Sequence, residues 1–273
     1  MLDDIIQGGL NDLMDALKRR EPDIIAALER FILLMDSKGG NLLANANNET
    51  LIAYLEIYLQ QVLKSLGLGE DVTKFLSTYN EAESYVLKLQ SQYNEIKALP
   101  IGVDKYREFI IRQTVDDLLG SGLTQKFAKP IMYALARSVY AGGGLRDVLR
   151  EVRTLAESDK QTGNGLLMRH YIQVSRDAAG QYAGNIHNII AQQYGFDELE
   201  YVGSLVKDSR AQCIRWVGME RIKIIDLKEE INWAERNGSG LIPGTTPDNF
   251  IVNRGGYNCT HEGIPVRSLK RQI

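Results

Sequence analysis

Apolar residues recur three or four positions apart through most of the first 195 residues, the spacing of a buried helical stripe. Ile5, Ile6, Leu10, Leu13 and Leu17, then Ile24, Ile25, Leu28, Phe31 and Ile32, predict helix from residue 2 to about 35. Pro22 predicts that a second helix opens there, since proline is tolerated in a first helical turn and costly in an interior. Gly39-Gly40 and the Asn-rich run Asn41 to Asn48 predict a loop. A helix then runs from Asn48 to about Leu66, with Leu51, Leu55, Tyr58, Leu59 and Val62 on one face and Gly67 and Gly69 as its stop. Further helices are expected over Asp71 to Leu99, ended by Pro100, and over Val103 to Leu119. Another is expected over Thr124 to Tyr140, with Thr124 as N-cap and Pro130 marking either a kink or a later start near Lys129. Gly142-Gly143-Gly144 reads as a hinge, Leu145 to Ala156 as a short amphipathic helix, and Ser158 to Gly165 as a polar connector. Leu166 to Tyr194 is the most regular helix: Leu167, Ile172, Ala179, Ala183, Ile186 and Ile190 share a stripe, and Gly195 ends it.

The period changes at Glu198. Residues 198–208 read as a strand carried by Leu199, Tyr201, Leu205 and Val206, and Met219 to Ile225 as a second, alternating one. Leu227 to Arg236 is a short helix. Residues 237–256 hold five glycines with Pro243 and Pro247, and so long a loop usually has a job or is pinned. The fold class expected is mainly α: an N-terminal helical region, then a smaller α+β C-terminal domain with a short sheet and long irregular loops. The chain divides into residues 1–120, 121–197 and 198–273.

Composition narrows the function classes. The net charge is −3, and residues 198–273 carry 11 basic against 10 acidic side chains, so no wholesale nucleic-acid footprint is present. No run reaches the roughly 18 apolar residues of a membrane span. The acidic start lacks a secretory leader's pattern, and the expected compartment is the cytosol or something assembled there. Two cysteines make no disulfide framework. No nucleotide-binding loop occurs, because the triple glycine lacks the following lysine and hydroxyl. Asp116-Asp117 and Glu229-Glu230 read as solvated pairs.

Both cysteines and one of the three histidines fall in two late segments, Asp208 to Gly218 and Gly255 to Val266. Three chemistries compete there. Cys213, Cys259 and His261 are ligand types zinc accepts, with Asp208 as a fourth donor, although Trp216 stands where a second nearby cysteine would complete a usual pair. A thiol nucleophile would pair Cys213 with His261, oriented by Asp208. The third reading is structural: two small buried thiols face each other, Asp208 and Arg210 form a polar clasp, and Gly255-Gly256 supply positive φ. His170 and His187 lie 17 positions apart on one helix, about 26 Å by helical rise, and are expected at the surface or core edge.

These segments resemble the phage Mu F-like minor head proteins, a family that includes tailed-phage head morphogenesis proteins. The resemblance rests on Asp208-x-Arg210-x-x-Cys213, Gly218, Trp233, the Gly240, Pro243, Gly244, Thr245 turn, Gly255-Gly256-Tyr257-Asn258-Cys259-x-His261, and Pro265-Val266. It covers roughly residues 120–268. The helix carrying Arg176 and the helix pair around Leu123 to Leu155 match the family layout. Many members carry an extra early cysteine and a His-Pro-Asn-Cys-Arg-Cys tail that suggests metal. Here Trp216 takes the cysteine's place, and only Cys259 and His261 stand in the tail.

The resemblance implies a non-enzymatic minor structural protein of the virion. Such a protein associates with the portal and other head proteins, its copies arranged around the portal, and acts in head assembly or genome packaging and delivery. It implies transient contact with packaged DNA, residence in the host cytoplasm during assembly, and no obligatory cofactor, with zinc at Cys213, Cys259 and His261 as the exception. The alternatives are a thiol-dependent enzyme or effector carried in the head, using Cys213 and His261, and a zinc-stabilised DNA-binding module.

Overall fold

The computed structural model describes residues 2–158 and 163–268; residues 159–162 of the expected connector lie outside them. The fold is mainly α with a small α+β region near the C-terminus, as the sequence pattern predicts. In chain order the elements are α1 (Leu2–Ile32), β1 (Ser37–Lys38), β2 (Asn41–Leu42), α2 (Ala46–Ser65), α3 (Leu68–Leu76), α4 (Thr78–Asn94), α5 (Val103–Leu119) and α6 (Ser121–Leu123). A π-helical turn (Thr124–Ala128) leads into α7 (Lys129–Tyr140), followed by α8 (Leu145–Ala156) and α9 (Leu166–Tyr194). The remainder is β3 (Glu198–Val202), α10 (Ala211–Val217), β4 (Ile222–Lys223), α11 (Leu227–Asn237), α12 (Phe250–Asn253) and β5 (Glu262–Val266). Among the described residues no helix is long and apolar enough to cross a membrane.

Two units are assembled from interleaved segments: Met1–Gly9, Ser77–Ile111 and Ser175–Ile273 form one, Leu10–Leu76 and Arg112–Val174 the other. The second unit is helical apart from the β1–β2 hairpin, which turns through Gly39 and Gly40 at φ 62° and 83°. Its core gathers Leu28, Phe31, Leu55, Leu59, Ile131, Leu135, Val139, Val148 and Val152. The first unit holds an antiparallel sheet in the order β4-β3-β5, with Leu199 opposite Ile222 on one side and Pro265 on the other. β5 is an edge strand, which is where a ladder tolerates a residue without an N–H.

Several expectations are corrected. Pro22 does not open a second helix, and α1 runs through it. Pro22 is exposed, so the Lys18 carbonyl that loses its helical partner there faces water, while Leu17, Ile24 and Ile25 stay buried beside it. The Asn-rich run is not a loop throughout: Asn41 enters β2, and Asn45 caps α2 by accepting the Asn48 N–H at 2.9 Å. Asn48 is fully buried, bonded to the Asp36 and Leu43 backbone. Gly69 lies inside α3 rather than ending a helix. The single helix expected over 71–99 is two, because Phe75, Leu76, Thr78 and Tyr79 are all buried, more than one helical face can turn inward. Thr124 caps nothing: it lies within continuous helical backbone, and its hydroxyl donates to Glu56 at 2.8 Å. The π turn just before Pro130 absorbs the proline, so α7 starts at Lys129.

Strand structure is shorter than the pattern suggests. Leu205 and Val206 are exposed beyond β3, and only Ile222 and Lys223 of the second candidate pair. The partner that completes the sheet is β5, which alternation did not reveal because all five residues are buried. On α9, Ile172 is half-buried while Tyr171, Ser175, Tyr182 and His187 join the buried set, so this helix is enclosed on more than one face. Gly184 on α9 lets α12 approach closely: a Cβ there would sit 2.7 Å from the Ile251 carbonyl oxygen.

Because Pro22 is exposed and interior to α1, Pro22→Ala is expected to raise the unfolding free energy by about 1–3 kcal/mol, less what proline gains by restricting the unfolded chain. Urea denaturation checks this; a lower midpoint in the variant would show that the proline shapes the helix usefully.

Candidate functional site

The late segments converge in the first unit. β3 presents Leu199 and Tyr201 on one face, as strand alternation requires. Around Tyr201 lie Trp216 at 5.3 Å between ring centroids, His261 stacked at 5.6 Å, and Phe250 at 6.1 Å. Trp216 is fully buried and meets Phe250 edge-on at 4.8 Å. Trp216 is thus the largest side chain of this core.

The thiols and the imidazole sit beneath the Tyr201 hydroxyl. Cys213 lies in the first turn of α10, and Cys259 and His261 in the approach to β5. The sequence gives no sign of that turn, since a seven-residue helix shows little periodicity. The donor atoms of Cys213, Cys259 and His261 lie within 4.8 Å of one another, and all three residues are buried. Tyr201 Oη is 3.5 Å from Cys259 Sγ and 3.9 Å from Cys213 Sγ, and Cys259 Sγ is 3.6 Å from His261 Nδ1. Both cysteines are free. Asp208 is exposed and is not part of the group.

The protons of this cluster are unevenly shared. The Cys259 thiol is pulled down chiefly by the bond from Cys213, helped by His261, the Arg254 charge and Tyr201, against its burial. The same bond, with burial, pushes the Cys213 thiol up. Burial likewise drives the Tyr201 phenol well above its ordinary value. Cys259 is therefore the sulfur that favours negative charge. Yet both sulfurs are shut away from solvent, which removes access for a substrate.

The surrounding clasp is built by α10. Arg210 donates to the carbonyl oxygens of Gly255 at 2.8 Å and Tyr257 at 2.5 Å. Gln212, fully buried, donates to the carbonyls of Ser239 at 2.7 Å and Gly255 at 3.1 Å, pinning the long loop. The Asn258 N–H donates to Asp177 at 2.8 Å, while burial raises the Asp177 carboxyl against that bond and the charges of Arg254, Arg176 and Arg210. Gly255 needs no positive φ. It is glycine because a Cβ would meet Cys213 Sγ at 2.3 Å and Cys259 Sγ at 3.0 Å. Gly256 does have positive φ, 108°, and passes directly against Gly240. Gly218 ends α10 with φ −73°, and a Cβ there would sit 3.4 Å from the Ile214 and Arg215 carbonyl oxygens, an ordinary contact.

Glu230 corrects another expectation. Instead of being solvated, it is buried and accepts two bonds from Arg215, at 2.7 and 2.8 Å, and one from Trp216 Nε1 at 3.0 Å. Arg215 also lies 4.7 Å over the Trp233 ring, which explains that motif tryptophan. The bonds from Arg215, with that from Trp216, hold the Glu230 carboxyl below its ordinary range despite burial.

His170 and His187 are buried too, not at the surface. His170 Nε2 lies 2.6 Å from the Asp117 carbonyl, and burial lowers its basicity. His187 Nδ1 is 3.0 Å from Gln90 Nε2, and its Nε2 is 3.8 Å from the buried Glu262 carboxylate, which also accepts from Tyr85 at 3.2 Å. Asn94 donates to the Pro265 carbonyl at 2.9 Å and accepts from the Arg267 N–H. Pro265 thus marks where α4 grips the edge strand. None of these polar anchors, and not Tyr201, carried a sequence signal beyond residue type. Compared with known proteins, the chain matches no family model, no curated protein and no solved structure.

Gly255→Ala is expected to cost about 1–3 kcal/mol or more by overpacking, while Gly218→Ala, whose Cβ would make only ordinary contacts at an ordinary φ, should be nearly neutral; paired urea titrations distinguish them. Glu230 has a depressed folded pKa, so its contribution is present above the unfolded glutamate value of about 4.3 and fades as pH falls below it. The stability gap between wild type and Glu230→Gln should therefore be widest near neutrality and close under acid. A gap independent of pH would contradict this role.

Proposed function

We propose that the protein is a minor structural component of a tailed-phage head that associates with the portal or neighbouring head proteins. The observation carrying this reading is that the two segments resembling the Mu F-like signature form one clasp. Arg210 of the first holds the Gly255 and Tyr257 carbonyls of the second, and Gln212 binds the intervening loop to both. On this reading the motif residues are shared because they build a domain, and the buried thiols have a structural part rather than a nucleophile's. The chain then acts by binding, in assembly or in packaging and delivery of the genome, within the host cytoplasm and later in the virion.

A partner surface fits the same reading. Tyr133 and Tyr140 are seven residues apart on α7, so they share a face, and they are 70% and 67% exposed. Exposed tyrosines of this kind are common anchors of protein interfaces.

The test is co-assembly with the cognate portal and major head proteins, followed by analysis of purified particles. The chain is expected to co-purify with the portal and to remain in mature heads at low copy. Tyr133→Ala should weaken portal capture several-fold, on the order of 1–2 kcal/mol, with the fold intact by circular dichroism. Failure to bind the portal, together with absence from the mature particle, would sink the proposal.

A further inference from the structure

We infer that Cys213, Cys259 and His261 hold one zinc ion in a closed structural site, with the Tyr201 hydroxyl at the fourth vertex. A tetrahedral zinc with bonds of about 2.3 Å to sulfur and about 2.0–2.1 Å to nitrogen or oxygen needs its ligand atoms roughly 3.5–3.8 Å apart. Two edges of this cluster have that length, Cys259 Sγ to His261 Nδ1 at 3.6 Å and Tyr201 Oη to Cys259 Sγ at 3.5 Å, and a third, Tyr201 Oη to Cys213 Sγ, is slightly longer at 3.9 Å. Such lengths are also those of ordinary contacts; what singles the cluster out is its composition, two thiols and an imidazole, all buried, with donor atoms within 4.8 Å of one another.

The surroundings are those of a closed site. Tyr201 and Cys213 are 2% exposed, and Cys259 and His261 4%. His261 Nε2 is buried and makes no hydrogen bond, and the ring is held by its stack on Tyr201 with Nδ1 turned to Cys259. Gly255 roofs the sulfurs with a hydrogen where a methyl group would intrude. Binding the ion would displace the protons of both thiols, as zinc coordination by cysteine requires. Ligands drawn from β3, α10 and the approach to β5 would let one ion tie α10 to the paired strands β3 and β5. With a phenol closing the coordination shell, no position remains for water, and the site is structural.

The full chain, purified without chelator, should contain about one zinc per molecule by elemental analysis. Exchange for cobalt(II) should give the intense visible bands of a tetrahedral ion and a near-ultraviolet thiolate charge-transfer band. Cys213→Ser and Cys259→Ser should each lose charge-transfer intensity. Tyr201→Phe should keep that band, alter the visible pattern and weaken zinc binding by at least the roughly 10–100-fold that loss of an outer-shell partner brings, because here a direct ligand is removed. Should the cysteine variants unfold, the wild type alone still decides: mercurial titration of its two thiols should release zinc stoichiometrically. A folded wild type with no zinc, no cobalt charge-transfer band and two freely titrating thiols overturns the assignment, as does a disulfide between them. Every readout uses the isolated chain, so the result stands whether or not the protein binds a portal.

Discussion

One guanidinium group helps to set the arrangement of the small α+β region near the C-terminus. Arg210 spends its donors on two backbone carbonyls more than forty residues ahead, in a stretch that has no ladder of its own to satisfy them. A buried carbonyl without a partner costs free energy comparable to a lost hydrogen bond, and the Gly255 carbonyl is held by two donors, Arg210 and Gln212, while the Tyr257 bond lies open to solvent. Once the turn is held there, Gly255 lies on the sulfurs, Cys259 and His261 come under Tyr201, and β5 is delivered to the edge of β3. Gln212, two residues along the same short helix, repeats the device for the Gly238–Ser239 loop. A region poor in regular structure is thus ordered by side chains standing in for backbone partners.

The helical frame was legible because its periodicity is strong. α5, α8 and α9 have the bounds that apolar spacing predicts, and Gly195 ends α9 at φ 64°. The misses share a physical cause, which is that burial in this protein is often two-sided. β5 shows no alternation because both of its faces are covered, and the helix expected over 71–99 divides where consecutive residues all turn inward. Pro22 misled for the opposite reason: an exposed proline costs a helix a hydrogen bond but leaves its buried stripe intact.

The candidate site was legible only in part. Cys213, Cys259 and His261 stood out by residue type and do come together, but Asp208, chosen for its place in the motif, lies in solvent. Tyr201 was visible as a strand residue and nothing more, because the distance between its hydroxyl and two sulfurs from other elements is a tertiary fact. Glu230 and His187 show the same limit. Each looked like an ordinary polar residue on a helix, and each is enclosed by partners the chain brings from elsewhere. Sequence pattern locates what is buried by repetition; it cannot locate a polar group buried because a single partner waits for it.

The interleaving of the two units has a consequence for how this chain can be divided. Neither unit is a continuous stretch, and α1, α5 and α9 each donate one end to either unit. A truncation from either end breaks the first unit, and the second cannot be cut free without carrying residues 77–111 of the first. During synthesis the first unit stays unfinished until its last segment is made, although its opening residues emerge first. Its boundary is written into helices rather than linkers, so fragments would be recovered whole only as a complementing pair.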